Sequence, residues 1–176
     1  MEMSPPIDSQ SPMRSPQAVG RVDLTLYLAL LASHAVYGGL AIYLASIAQP
    51  DAPRNPGLAI PFVFIALATA GAAVAVDSLG FRDAQIDRWL DAGKQQALAR
   101  DALAQAVRQR ALSTSIVRWA IAAMPSQIGL VAVLLGSLPL SQALLLVALG
   151  ALTHVSCRPK LTATIARIDE KLPKTS

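Results

Sequence analysis

Residues 119–157 contain no Asp, Glu, Lys or Arg. That run is long enough for two crossings of a bilayer, each of which needs about 20 mostly apolar residues. It overlaps the stretch Ile116 to Gly136, IVRWAIAAMPSQIGLVAVLLG, which carries Arg118 near one end and Pro125, Ser126 and Gln127 at its centre. Polar groups at membrane depth are costly and usually face other helices or a cavity. The rest of the chain must therefore supply further spans.

It does. Leu24 to Pro50 holds no charged residue, and neither does Leu58 to Val76. Together the pattern predicts an all-α integral membrane bundle of four transmembrane helices, arranged as two hairpins, with spans at about 24–48, 58–77, 115–136 and 139–156. The tight turn Gly136-Ser137-Leu138-Pro139 separates the last two spans. Only 15% of the 176 residues are charged, against about 25% in soluble domains. The single cysteine, Cys157, excludes an intramolecular disulfide and a cysteine-built zinc site.

Three segments lie outside the spans. Residues 1–22 are rich in Ser and Pro, lack a signal-peptide core and read as a disordered cytoplasmic tail. Residues 78–114 form a helical connector in which Ile86, Leu90, Ala97, Ala104, Val107 and Ala111 recur at roughly helical spacing. Whether the connector is one arm or folds back near Gly80 or Gly93 stays open, and its outer charges read as solvation. In the basic tail 158–176, Leu161, Ile165, Ile168 and Leu172 share one face of an amphipathic helix, suited to lie on headgroups or to pack on the connector.

Of 15 Lys and Arg residues, only Arg54 falls in the loops opposite the connector. Basic residues concentrate on the cytoplasmic side. This places both termini and the connector in the cytoplasm, and the chain as a multi-pass protein in a bacterial cytoplasmic (inner) membrane. The same bias reads as a topology signal, so no nucleic-acid partner is expected.

The candidates for chemistry are few. His34 sits mid-span and is expected to bond to a neighbouring helix, with Tyr37 one turn on; His154, the other histidine, is counted near the cytoplasmic end of the fourth span. Pro125 leaves the Ile121 carbonyl without its helical donor and kinks the third span, and Ser126 or Gln127 can satisfy freed groups or bond across. His34 and Gln127 are expected to share a contact inside the bundle, and Arg118 to snorkel to the surface. Gly39, paired with Ala35, and Gly71 and Ala72 in the small-residue run ALATAGAAVAV are expected to face other helices. There is no nucleophile–base set, phosphate loop, carboxylate pair or metal-spaced cluster, so no catalytic residue, cofactor or metal is expected.

The segment AIAAMPSQIGLVAVLL resembles the second helix of the proteolipid c subunit of rotary ATP synthases. Met124, Pro125, Ile128, Gly129 and Leu130 match its Leu-Pro-x-x-Tyr-Gly-Leu type of pattern, and the resemblance implies a helix leaving a cytoplasmic polar loop. It covers about one span of four. Where that family carries its ion-binding carboxylate this chain has Ala122, so the family's ion transport does not carry over. The whole layout, ending in Arg158-Pro159 and a short amphipathic helix, also resembles small uncharacterised four-span bacterial membrane proteins, which implies no activity. The expectation is a non-enzymatic structural or interaction component whose partners are the bilayer and either a second copy or another membrane protein. The alternative is a small transporter or channel component using His34, Gln127 and the Pro125 kink.

Overall fold

The computed structural model describes residues 16–47 and 55–172. Residues 1–15, 48–54 and 173–176 lie outside it, and with them most of the expected N-terminal tail and of the segment between the first two spans. The described chain is helical: α1 (Pro16–Ile47), a 3-10 turn (Pro56–Leu58), α2 (Ala59–Gly80), α3 (Asp83–Gln95), α4 (Arg100–Leu134), α5 (Leu140–Ser156) and α6 (Leu161–Lys171). Four helical segments are long and apolar enough to cross a membrane, beginning at Gly20, Ala59, Arg100 and Leu140. Residues 16–22, expected in a disordered tail, are the first turns of α1. Proline suits that first position because its missing N–H would be unpaired there anyway.

The packing order departs from the first of the two expected hairpins. α4 and α5 pack together, whereas α1 lies on α4, α5 and α6 rather than along α2, which lies on α4 and α5. Two glycines explain why α4 and α5 hold the centre. A side chain at Gly129 would come within 2.6 Å of the Ala143 carbonyl, and one at Gly150 would collide with the Ser126 hydroxyl. Only hydrogen lets these two backbones approach so closely, the usual basis of helix contact inside lipid.

Small residues elsewhere are placed differently from expectation. Gly39, Gly71 and Ala72 are exposed, and nothing lies within 4 Å of a Cβ built on Gly39 or Gly71. Ala66, Ala70 and Ala73 form the buried face of α2, and Gly38 rather than Gly39 faces Val147. Because ALATAGAAVAV is small on every side, its spacing could not say which side turns inward.

The connector folds back. α2 ends at Gly80, and α3 closes with the Leu98 N–H on the Gly93 carbonyl and the Ala97 N–H on the Lys94 carbonyl. These two bonds make a Schellman turn with Ala97 in the left-handed region (φ 50°). Ile86, Trp89 and Leu90 of α3, Leu103 and Val107 of α4, and Ile165 and Ile168 of α6 enclose one apolar core at this end. α6 is held by Arg167 to Asp83, Lys171 to Asp87 and Arg108 to Asp169. Asp83 and Asp87, two connector charges read as solvation in the sequence, are thus paired with α6.

Candidate functional site

The four central helices enclose a line of buried polar side chains that starts at the connector end. Asp77 of α2 accepts from Arg118 of α4 at 2.6 Å on Oδ1 and from Lys160 at 2.6 Å on Oδ2. The Arg118 side chain is wholly buried, and its guanidinium carbon lies 4.8 Å from the Phe81 ring centroid and 5.2 Å from that of Trp119. This overturns the expected snorkelling. A carboxylate from another helix and two aromatic faces replace the water that the guanidinium would otherwise seek. Beside this cluster Asp23 of α1, also buried, accepts the Leu161 N–H at 3.3 Å and so caps α6 from a different helix.

One layer deeper, the Trp119 indole donates to the Cys157 carbonyl at 3.0 Å, and the Trp119 ring stacks on His154 with centroids 6.3 Å apart. His154 also contacts Tyr27, and its centroid lies 5.3 Å from that of His34. The two histidines therefore meet, although the sequence reading kept them apart. A count from the opposite end of the bundle accounts for it. His34 lies about 13 residues before the end of α1 and His154 about 14 after the start of α5, roughly 20 Å in each case.

His154 Nε2 donates to the Tyr27 carbonyl 3.2 Å away, since a carbonyl can only accept. The Ser126 hydroxyl lies 2.6 Å from His34 Nδ1 and 3.0 Å from the Val147 carbonyl, so it joins α1, α4 and α5 at one point. The other two ring nitrogens, His34 Nε2 and His154 Nδ1, are buried without a partner among the described residues. Pro125, packed inside a continuous α4, sits next to this serine.

The other sequence candidates lie at the rim. Gln127 is exposed, and its Nε2 donates to the Tyr37 hydroxyl at 3.2 Å. His34 bonds to Ser126 and Gln127 to Tyr37, so the contact expected between His34 and Gln127 is replaced by two separate ones across the α1–α4 interface. The sequence reading missed Asp23, Asp77, Trp119, His154 and Lys160. A signal existed for the first two, the acidic residues nearest the connector ends of their spans, with Arg118 at the matching end of the third.

Among the described residues no group of three or more His, Cys, Asp or Glu is arranged to hold a metal ion. A pocket of about 370 Å³ opens outward from the bundle and is lined by Ile60, Phe64, Leu67, Leu138 and neighbouring residues, away from the polar line. No protein-family model matches the chain, and neither does any curated protein or solved structure.

Proposed function

We propose that this chain is a non-enzymatic, multi-pass component of a bacterial cytoplasmic membrane that acts through helix–helix contacts, with both termini and the connector cytoplasmic. What supports this most is how the buried polar groups are used: Arg118 with Asp77 and Lys160, Ser126 with His34 and Val147, Trp119 with Cys157, and His154 with Tyr27. These bonds join α1, α2, α4 and α5 to one another. Intramembrane side-chain bonds of this kind hold helices in register. The orientation is supported by the 14 of 15 basic residues on the connector side of the spans.

A second reading, a small transporter or channel component, is favoured by one observation: the unpartnered nitrogens of His34 and His154, buried in adjoining rings. Water access separates the two. In a Cys157→Ser background, Ser126→Cys should resist a water-soluble thiol reagent in the folded protein and react once unfolded in detergent. Reaction in the folded protein would move the assignment to transport.

A further inference from the structure

Gln127 stands out on the outer surface of the bundle. Along α4, Val117, Ala120, Met124, Gln127, Val131 and Leu134 are all exposed and follow one another at alternating steps of three and four. That is the spacing of a left-handed helix-packing seam, in which a single polar residue sets register and partner number. Against lipid, each unsatisfied polar group costs several kcal/mol. Gln127 spends one N–H on Tyr37, which leaves its carbonyl oxygen and second N–H without a partner among the described residues.

We infer that this seam is the contact surface for a second copy of the same chain, with Gln127 paired to its counterpart across a two-fold axis. Two copies inserted in the same direction can be related only by an axis along the membrane normal. Such an axis sets their α4 helices parallel and brings identical residues together at equal depth. A carboxamide is self-complementary, since the N–H of each can donate to the oxygen of the other. An apolar residue there could not select a partner, and a charged one would repel itself. The Tyr37 bond fixes the Gln127 side chain beforehand, so less freedom is lost on pairing.

This inference rests on the interaction reading and names its partner. The test uses the full chain in phosphatidylcholine vesicles, with Cys157 replaced by Ala. Met124→Cys should cross-link into a dimer on oxidation, whereas Leu145→Cys, 69% exposed on α5, should not. By energy transfer on dilution into excess lipid, Gln127→Leu should raise the dimer dissociation constant by roughly threefold to tenfold, as expected for one or two intramembrane hydrogen bonds. Gln127→Asn should restore part of the loss. Gln127→Leu also removes the bond to Tyr37, so Tyr37→Phe, which removes that bond alone, should lower the unfolding midpoint by as much while raising the dissociation constant less. A monomeric wild type, cross-linking through Leu145→Cys instead, or an unchanged dissociation constant for Gln127→Leu overturns the proposal. A monomer whose position 127 is shielded by a different co-purified protein removes the second copy but leaves the interaction reading standing.

Discussion

Arg118 and Asp77, 41 positions apart in sequence, meet at 2.6 Å between α4 and α2, with the arginine side chain shut off from solvent. Lys160 shares the same carboxylate, yet its side chain stays 41% exposed. The two cations are therefore unequal partners. Losing Asp77 strands a buried guanidinium, whereas losing Lys160 removes an ammonium that water already solvates.

Asp77→Ala should accordingly cost about 3–5 kcal/mol, the usual penalty for an orphaned buried charge. Lys160→Ala should cost about 1 kcal/mol or less. Reversible unfolding in mixed micelles measures both. Equal losses would show that the Arg118 guanidinium finds water in the folded protein.

The helix crossing at the centre gives a contrast between glycines. Gly129→Val and Gly150→Val should each destabilise by about 1–3 kcal/mol or more, because the added carbons meet backbone or a bonded serine. Gly71→Val and Gly39→Val, with open space around them, should stay within about 0.5 kcal/mol of wild type. The same unfolding assay decides, and the opposite ranking would place α2 the other way round.

Two helix ends share one turn geometry with different residues. Gly136 (φ 62°) follows α4, its N–H on the Val133 carbonyl and that of Ser137 on the Ala132 carbonyl. Ala97 (φ 50°) occupies the matching place after α3. A Cβ is disfavoured in that conformation by about 1–2 kcal/mol. Ala97→Gly should therefore raise the unfolding midpoint, and Gly136→Ala should lower it. A fall for Ala97→Gly would mean that chain entropy outweighs the relief of strain.

Topology can be read with single cysteines in a Cys157→Ser background. Ser78, exposed near the connector end of α2, and Leu135, exposed just after α4, lie at opposite ends of the bundle. An impermeant reagent added to intact cells should label Leu135→Cys and spare Ser78→Cys. Labelling of Ser78→Cys alone would invert the orientation, and equal labelling of both would end the four-span assignment.

The four apolar segments and the turn at Gly136 were legible in the sequence because they depend on local properties: summed hydrophobicity along 20 residues and the backbone freedom of a single residue. The amphipathic faces of α3 and α6 were legible for the same reason, since polar and apolar residues alternate there at helical spacing. Facing inside the membrane was not. Lipid is as apolar as leucine, so hydrophobicity does not distinguish the inside of a bundle from its outside. The small residues of α2 fit either, and only the packed structure turned Ala66, Ala70 and Ala73 inward and left Gly71 and Ala72 out. The polar line was hidden for a related reason. Its bonds join residues far apart in sequence, Arg118 to Asp77, His34 to Ser126 and His154 to the Tyr27 carbonyl. Which pairs form depends on the relative height of helices of unequal length. The 17-residue α5 sets His154 beside His34 of the 32-residue α1, a relation that no local pattern encodes.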